Sequence, residues 1–382
     1  MNIVFWQSIV SPHMAPLAQA LAKRGCRVTY VSRQLMSDER KLSGWRAQSI
    51  EPARLVLAAS LGQMLSILDT LPADSIHICQ GLRSNGPISH IQRVLRRTGA
   101  RHWAILETID DHGLIGWLKR LEYRRLCSRH FRSGGRVLAI GDRTSDWLQA
   151  RGMKERCIVP FCYFLPDVQI PKLSLGVAVP RSVRIAFAGR LIDLKRVEDV
   201  ILAVAAIPTE VGRPELWIMG DGPAAPRLKK LAAALLPDRV RWFGMIDQQT
   251  VPTLLAQVDC LALPSRHDGW GAVVSEALLV GTPAICTDHC GAAIAVRQSG
   301  LGGVYPVGDV NKLTLLLSSI VASGALSEGR RQDLRRWASC LTVEAGAAYL
   351  EEVLSNGRHS SYLPNAPCGV SVSSVRRFES IG

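Results

Sequence analysis

Two carboxylates eight residues apart, Asp268 and Glu276, mark the segment of the sequence that offers the most chemistry. They flank a glycine-rich stretch that ends at Gly271, and the apolar run Cys260–Leu263 precedes them. Glycines allow backbone amides to face an anion, and a helix that starts after Gly271 would add its N-terminal dipole. One carboxylate could then bind a sugar and the other a ribose diol. For two isolated acids, helix capping and turn formation would be the simpler interpretation.

Two further loops follow apolar runs in the second half of the chain. In the first, Gly189 permits close backbone approach to a ligand, and Arg190 and Lys195 can bind a diphosphate through charge-assisted hydrogen bonds. In the second, Gly220 and Asp221 begin a Gly-Asp-Gly-Pro turn before a helix, whose N-terminus can hold an anion. Each loop also has a structural interpretation: a turn beside a solvated face for the first, and a strand-to-helix connection for the second.

Alternating strand and helix patterns position these loops. Strand patterns of the first half lie at residues 3–6, 26–32, 75–79, 102–106, 137–140 and 157–160. Those of the second half lie at residues 183–188, 215–219, 240–243, 260–263 and 282–286. Segments of helical length separate them, so we expect an α/β protein with two doubly wound parallel sheets. Ligands bind at the carboxyl ends of such strands, which is where the three loops begin.

The expected domain organisation has two Rossmann-like domains and three shorter segments. Residues 1–165 form the first domain and residues 181–340 the second, and the proline-spaced stretch 166–180 is expected to link them. Residues 341–356 are expected to form a C-terminal helix that returns to the first domain. Residues 357–382 are polar and rich in serine, proline and arginine, so we expect a disordered tail.

Composition narrows the class of protein. At 382 residues, with 47% hydrophobic and 20% charged side chains, the chain can form two cores, which excludes wholesale disorder. Its apolar runs are shorter than the ~20 residues that span a bilayer, and its first residues lack the pattern of a signal peptide. We therefore expect a cytoplasmic protein. Its 10 cysteines lack zinc-ligand spacing and are predicted to be reduced, so no metal site is predicted.

The formal charge of +14 requires a partner such as nucleic acid, an anionic membrane or an acidic substrate. Basic residues cluster beside large apolar ones; they are Lys119, Arg120, Arg124, Arg125, Arg129, Arg132 and Arg136, among Trp117, Leu118, Leu121, Leu126 and Phe131. This pattern is typical of a basic amphipathic helix at a membrane surface. A solvated helix whose arginines cover their apolar neighbours is the open alternative. Without a nucleic-acid motif or an aromatic stacking platform, nucleic acid is not predicted as a partner.

Several motifs of the second half resemble glycosyltransferase family 4 in their order and spacing. They are Gly189-Arg190-Leu191 with Lys195, Gly220-Asp221-Gly222-Pro223, Trp242-Phe243-Gly244, Pro264-Ser265, Asp268 with Glu276-Ala277, and Gly281-Thr282-Pro283. The similarity is strong over residues 183–306, and the first half shares only the alternating layout. The resemblance implies a GT-B fold, in which two Rossmann-like domains face a cleft. The Asp-Gly-Trp-Gly sequence at Asp268 looks like that of a branch of bacterial polysaccharide and glycolipid transferases.

The resemblance also implies roles for individual residues. Arg190 and Lys195 would bind the diphosphate of the donor and stabilise it as it departs, and Glu276 would bind the ribose hydroxyls. Backbone groups would complete the nucleotide site, with the amides of Gly271, Ala272 and Val273 near the phosphates and the backbone of Phe243 and Gly244 near the base. No other cofactor is expected, and the donor would be a uridine- or guanosine-linked sugar.

Three positions depart from the pattern of the family. Asp268 stands where a glutamate commonly contacts the donor sugar, and its side chain is one methylene shorter. Glu107 ends a predicted strand where many members of the family have a histidine that faces the donor sugar. Two alternatives stay open for Glu107: it takes part in the site, or it has no role there. The usual glycine pair after the first strand is missing, and the sequence there leads to His13, which either faces the cleft or begins the helix.

The function implied by the resemblance is metal-independent transfer of a sugar, with retention, to a hydroxyl of a glycan or lipid-linked acceptor. The setting would be cell-surface polysaccharide biosynthesis, with the protein in the cytoplasm or peripheral on the inner face of the cell membrane. Two alternatives stay open. One is another GT-B enzyme, such as a nucleotide-sugar epimerase or a sugar-phosphate synthase, and the other is a nucleotide-binding protein whose catalysis is impaired by the Asp268 change.

Overall fold

The computed structural model describes residues 1–38, 40, 45, 48–83, 86–111, 113–168 and 182–356. The chain divides into two compact units, the first formed by Met1–Pro166 with Thr342–Gly382 and the second by Asp167–Leu341. Most of the expected linker, residues 169–180, and the expected tail, residues 357–382, lie outside the described residues.

The first unit contains a parallel sheet flanked by helices. Its strands are β1 (Asn2–Ile9), β2 (Arg27–Gln34), β3 (Arg54–Leu57), β4 (Ile76–Gln80), β5 (His102–Glu107), β6 (Arg136–Ile140) and β7 (Ile158–Phe161). Up to β7, the α-helices whose bounds lie within the described residues are α1 (Ala15–Lys23), α2 (Leu61–Thr70), α3 (Pro87–Thr98), α4 (Gly113–Arg132) and α5 (Thr144–Gln149). The strand order is β3-β2-β1-β4-β5-β6-β7. The strands are parallel, but the order in which the chain adds them to the sheet reverses between β1 and β4. In doubly wound sheets a ligand site lies at such a reversal.

Burial explains which strands of this sheet the sequence reveals. β1 lies between β2 and β4, and Ile3, Val4, Phe5 and Trp6 are almost fully buried, so the strand appears as a continuous apolar run. β3 lies at the edge, where it pairs only with β2 among the described strands and leaves Leu57 51% exposed. Its short, mostly exposed pattern was not predicted from the sequence because edge strands lack the apolar run of central ones.

The second unit repeats this architecture. Its strands are β8 (Arg184–Ala188), β9 (Glu215–Met219), β10 (Val240–Gly244), β11 (Cys260–Leu263), β12 (Ala284–Thr287) and β13 (Gly302–Tyr305). Its helices are α6 (Val197–Ala205), α7 (Ala225–Leu235), α8 (Val251–Leu255), α9 (Ala272–Leu279), α10 (Ala293–Ser299), α11 (Val310–Ser323) and α12 (Glu328–Ala338). The strands are parallel in the order β10-β9-β8-β11-β12-β13. The prediction of two doubly wound parallel sheets is thus confirmed.

β13 is a second strand that the sequence did not predict. It begins with Gly302 and Gly303, which have low strand propensity. A Cβ atom at Gly302 would lie 1.9 Å from the carbonyl oxygen of Ala284 on β12, so no side chain fits there. Glycine is therefore required for β13 to pair with its neighbour, although the same residue weakens the sequence signal.

The Gly-Thr-Pro motif of the second unit has a structural role. Gly281 has φ of +79°, and a Cβ atom there would lie 2.7 Å from the carbonyl oxygen of Arg331. The hydroxyl of Thr282 donates to the carbonyl of Leu255 at 2.7 Å and accepts from Arg331 at 3.1 Å. Arg331 also pairs with the buried Asp259, with 3.3 Å between nitrogen and oxygen. The motif therefore packs α12 against the sheet. This structural role accounts for the residue types of the motif without a ligand contact.

A C-terminal helix, α13 (Val343–Asn356), belongs to the first unit. The amide of Val343 donates to the carbonyl of Leu165 at 2.9 Å, and the hydroxyl of Tyr349 donates to the carbonyl of Pro160 at 2.8 Å. A Cβ atom at Gly346 would lie 2.2 Å from the ring of Phe164, so the helix packs closely on the segment after β7. In the order of the chain, the second unit is thus inserted between β7 and α13 of the first unit.

Among the described residues, no helix is long and apolar enough to cross a membrane. The cysteines within the same part of the chain are free thiols, and all of them except Cys340 are buried.

Candidate functional site

The loops after β8 and β9 of the second unit contact each other backbone to backbone. The amide of Gly189 donates to the carbonyl of Met219 at 2.9 Å, and the amide of Leu191 donates to the carbonyl of Asp221 at 2.9 Å. Gly220 has φ of +136°, and a Cβ atom there would lie 1.9 Å from the carbonyl oxygen of Gly189. Both the backbone angle and the contact exclude a side chain at Gly220. This glycine is needed to join the two loops.

The Gly-Asp-Gly turn uses amides that the sequence suggested for an anion. The amide of Gly222 donates to the carboxylate of Asp221 at 2.7 Å, and the amide of Ala224 donates to the carbonyl of Leu191 at 3.0 Å. Both amides are therefore satisfied within the protein, just before α7 begins. The side chain of Asp221 is exposed and stabilises its own turn. The geometry supports the structural interpretation of this turn more directly than the anion-binding one.

Lys195 and Asp268 form an ion pair at the carboxyl end of the second sheet. Their nitrogen and oxygen atoms are 2.5 Å apart, and the side chains are 20% and 17% exposed. The amide of Arg266 donates to the carbonyl of Leu194 at 2.9 Å, which ties together the two loops that carry the pair. The sequence indicated these residues for different parts of one ligand, and the structure brings them into contact. Arg190, on the same loop as Lys195, is exposed.

A loop that the sequence did not indicate braces the segment around Asp268. Between β12 and α10, the amide of Gly291 donates to the carbonyl of Asp268 at 3.0 Å, and the amide of Ala292 donates to the carbonyl of Trp270 at 2.7 Å. In return, the amide of Asp268 donates to the carbonyl of His289 at 3.2 Å. These bonds hold the backbone of Asp268 from both sides. Only the small residues around Gly291 could have hinted at the contact.

Gly271 sets the start of α9. Its φ is +86°, and a Cβ atom there would lie 2.7 Å from the sulfur of Cys290, so glycine is required. Within α9, Ala272, Val273 and Glu276 are the residues that are not fully buried. Because successive helical residues are about 100° apart, these three share one face. The structure thus groups the residues that the sequence proposed for phosphate and ribose contacts.

The carboxyl group of Glu276 binds its proton more tightly than an ordinary glutamate does. Burial raises the pKa of its carboxyl group from 4.5 to about 7, and a hydrogen bond with the side chain of Gln248 lowers the pKa by a smaller amount. At neutral pH the carboxyl group is therefore divided between its protonated and ionised forms. Gln248, in the loop after β10, is a site residue that no motif in the sequence marked.

Phe243 and Gly244 close the side of the site at β10. The amide of Gly220 donates to the carbonyl of Gly244 at 2.8 Å, which links the loops after β9 and β10. The ring of Phe243 packs on Trp217 with 5.0 Å between ring centres, and the guanidinium of Arg241 lies 4.7 Å from the ring centre of Phe243. Among the described residues other than its two chain neighbours, no atom lies within 4 Å of a Cβ position at Gly244, so this backbone borders open space.

In the first unit, Tyr163 connects the two residues that the sequence indicated. Glu107 ends β5 and is half-buried, as is His13. The hydroxyl of Tyr163 donates to the carboxylate of Glu107, and its ring stacks on His13 with 4.6 Å between ring centres and 22° between planes. Glu107 and His13 thus belong to one cluster. Tyr163 is not part of any motif, so the sequence provided no signal for it.

Among the residues that the structure describes, no group of three or more histidine, cysteine, aspartate or glutamate side chains is placed to hold a metal ion.

Residues 179–337 match the family model described as glycosyl transferases group 1. This range includes each loop of the second unit described above. The second unit is therefore a glycosyltransferase group 1 domain.

Individual proteins are similar to this chain over different lengths. A 2-deoxystreptamine N-acetyl-D-glucosaminyltransferase of Streptomyces fradiae is 27% identical over 300 residues, 73% of this chain and 63% of the relative. The lipopolysaccharide core biosynthesis glycosyltransferase LpsE of Rhizobium meliloti is 34% identical over 139 residues, 36% of this chain and 39% of the relative. The chain thus spans less than two thirds of the length of either relative.

Among solved structures, Anabaena Alr3699/HepE in complex with UDP superposes with a TM-score of 0.68 at 18% identity. The match covers 93% of this chain and 100% of that one. At this identity the likeness concerns the fold alone, and it confirms the expected GT-B class of two parallel-sheet domains.

A Glu276→Gln substitution is expected to flatten the pH dependence of stability. The raised pKa means that the native protein keeps a proton that the unfolded chain releases above its ordinary pKa of 4.5. The free energy of unfolding of the wild type should therefore fall by roughly 2–3 kcal/mol as pH rises from about 4.5 to about 7, and then level off. Urea unfolding at about pH 5 and about pH 8 measures this difference.

Glu210→Gln removes an exposed carboxylate of the same unit and serves as the control. It should retain the slope of the wild type. An identical slope in the wild type and in Glu276→Gln would contradict the raised pKa.

Proposed function

We propose that this chain, whose second unit is a glycosyltransferase group 1 domain, transfers a sugar from a nucleoside-diphosphate sugar to a hydroxyl of a glycan or lipid-linked acceptor. The observation that carries the proposal is the Lys195–Asp268 ion pair, held by interlocked glycine loops at the carboxyl end of a parallel sheet. The relatives named above as glycosyltransferases support it, and one of them is named for lipopolysaccharide core biosynthesis. We place the reaction in cell-surface polysaccharide synthesis.

The donor would be bound by the second unit. Lys195 and Arg190 supply positive charge for the diphosphate, and the face of α9 with Ala272, Val273 and Glu276 borders the same edge of the sheet. The ionised form of Glu276 would accept hydrogen bonds from the two ribose hydroxyls. A uridine- or guanosine-linked sugar has the required groups, and the similar Anabaena structure contains UDP.

The proposed reaction retains the anomeric configuration, as the resemblance to family 4 implies. The acceptor oxygen forms a bond to the anomeric carbon, and the bond from that carbon to the donor phosphate oxygen breaks. The acceptor proton passes to the departing phosphate oxygen. Lys195 and Arg190 would stabilise the charge on that phosphate in the place of a metal ion, and Asp268 would contact the donor sugar.

A second candidate function is a nucleotide-binding protein without catalysis. The ion pair fits this function as well, because Asp268 is already paired with Lys195 and its side chain is shorter than that of the usual glutamate. A nucleotide-sugar epimerase is a further alternative of the same fold. Product analysis separates the three functions. A transferase produces a glycosylated acceptor, an epimerase converts the donor without any acceptor, and a binding protein yields neither product.

Lys195→Ala is expected to reduce turnover more than donor affinity. The additional negative charge on the departing phosphate exists only near the transition state, so kcat should fall roughly a hundredfold while the Kd for the donor changes only a few-fold. A thermal-shift screen of UDP- and GDP-linked sugars first identifies the donor, because a ligand that binds the native state raises Tm. Steady-state kinetics and calorimetry then measure kcat and Kd.

Lys230→Ala, which removes an exposed ammonium group on α7, is the matched control and should match the wild type. If Lys195→Ala weakened only donor binding, Lys195 would be a ground-state binding residue and the proposed leaving-group role would be wrong.

We also propose that the first unit docks on an anionic membrane that carries the acceptor. The first turns of α4 expose four large apolar side chains, Leu114, Ile115, Trp117 and Leu118, with 90%, 72%, 54% and 60% of each accessible. Exposed arginines follow on the next turns, at positions 120, 124, 125, 129 and 132. Apolar side chains beside basic ones fit the interface of an anionic bilayer, and this supports a peripheral location on the inner face of the cell membrane.

Two basic residues of this helix have internal contacts as well. Lys119 donates to the carbonyl of Asp110 at 2.9 Å, and Arg120 donates to the carbonyl of Asp111 at 2.6 Å. These bonds tie α4 to the loop that follows Glu107. The membrane proposal therefore depends mainly on Arg124, Arg125 and Arg129, which lie further along the helix.

Replacing Arg124, Arg125 and Arg129 by glutamate is expected to abolish most binding to anionic vesicles. Each basic residue contributes about 1 kcal/mol near such a surface, so the loss should be at least on the order of a hundredfold at low salt. Vesicle sedimentation with phosphatidylglycerol and with neutral phosphatidylcholine measures it. Sugar transfer to a water-soluble acceptor should continue, because the proposed donor site lies in the other unit.

Lys312, Arg330 and Arg336 of the second unit, all exposed, provide a control with the same change of charge. Their replacement by glutamate should leave vesicle binding nearly intact. Equal binding of the wild type to neutral and anionic vesicles, or no binding to either at low salt, would identify α4 as a solvated helix.

A further inference from the structure

Tyr163 lies in a segment whose other residues are buried. Phe161, Cys162, Phe164 and Leu165 are at most 5% exposed, whereas Tyr163 is half-buried. Close packing of Gly346 of α13 on Phe164 and the bond from the amide of Val343 to the carbonyl of Leu165 fix the backbone of this segment. The position of the Tyr163 ring is therefore set by the core of the first unit rather than by a free loop.

The partners of Tyr163 are fixed as well. Glu107, which accepts the phenol hydrogen bond, is the last residue of β5 and pairs with Ile140 of β6. His13, which stacks on the ring, follows a loop in which the buried Tyr30 accepts from the amide of Ser11 at 3.1 Å and donates to the carbonyl of Ile9 at 3.2 Å. These three side chains thus lie on independently anchored backbones.

The cluster lies where parallel sheets bind ligands. β1, β5 and β7 end at Ile9, Glu107 and Phe161, and the three side chains sit at or just after these carboxyl ends. A carboxylate beside an aromatic surface has the chemistry of a sugar-binding site, because the carboxylate accepts from hydroxyls and the rings pack on carbon–hydrogen faces.

We propose that Tyr163 is a positioning residue for sugar transfer, whose phenol orients the Glu107 carboxylate toward a hydroxyl of the acceptor. The stacked ring of His13 keeps the phenol in place. This inference rests on the proposed function, and it assigns the acceptor contact to Glu107 and its orientation to Tyr163.

The physical reason is the freedom of a glutamate side chain. The terminal torsion of glutamate is broad, so a carboxylate at a strand end turns easily unless a directional bond holds it. A phenol that donates to a carboxylate is a charge-assisted bond of that kind. Because a misplacement of about 1 Å can cost roughly a hundredfold in rate, loss of the phenol should appear in turnover.

The test compares Tyr163→Phe with Tyr349→Phe in the full chain. Each variant removes one phenol hydrogen bond of the first unit, but the hydroxyl of Tyr349 donates to the carbonyl of Pro160 and not to a site residue. We expect kcat of Tyr163→Phe to fall roughly tenfold to a hundredfold, with an unchanged KM for the donor. Tyr349→Phe should keep the kcat of the wild type. Thermal unfolding of both variants checks that the fold is intact.

A double-mutant cycle with Glu107→Ala provides the readout that a purely structural role would not change. If Tyr163 acts through Glu107, adding Tyr163→Phe to Glu107→Ala should cause no further loss of kcat. Losses that multiply, or an active Tyr163→Phe with the kcat of the wild type, would overturn this inference alone. A wild-type protein that binds the donor but glycosylates no acceptor would overturn the proposed function and this inference together.

Discussion

Backbone contact between the loops after β8 and β9 is the constraint on which the candidate donor site depends. Gly220 can have no side chain because the carbonyl of Gly189 occupies that space. The contact keeps the loop after β8 against the sheet, and the turn that follows this loop carries Lys195 to Asp268. The sequence suggests these glycines as ligand contacts, but in the structure their role is to let the loops pack against each other. The chemistry of the site follows from the loops that they allow to join.

The charged side chains of the candidate site suit a ligand that carries both negative groups and hydroxyl groups. The ammonium of Lys195 is held by the carboxylate of Asp268, so a diphosphate would compete with Asp268 for that cation. Glu276 lies on the half-buried face of α9, and burial raises its pKa because it disfavours the charged carboxylate. Ribose hydroxyls would donate hydrogen bonds to that carboxylate. The loops and the helix at this edge of the sheet therefore offer a cation for phosphate and a carboxyl group whose ionised form the sugar of a nucleotide would stabilise.

The sequence predicted the parts that depend on local patterns. The central strands appear as apolar runs, and the loops after them carry the glycines and charges that form the candidate site. Edge strand β3 and glycine-led β13 escaped prediction because neither has an apolar run. Contacts between distant residues could not be predicted either: Lys195 and Asp268 are 73 residues apart, and Tyr163 and Glu107 are 56 apart. Such pairs form because the ends of different strands meet at one edge of a sheet. The pattern of a single segment contains no information about which strands will be neighbours.

Hydrogen exchange with the bound donor tests the central claim most directly. The donor would be whichever UDP- or GDP-linked sugar raises Tm, and exchange would be followed by mass spectrometry in the full chain with and without it. We predict slower exchange of amides in the loop with Arg190, at the start of α9 around Ala272 and Val273, and in the loop after β10 near Gly244. Protection confined to the first unit, or stabilisation without slower exchange in these loops, would contradict a donor site at the carboxyl end of the second sheet.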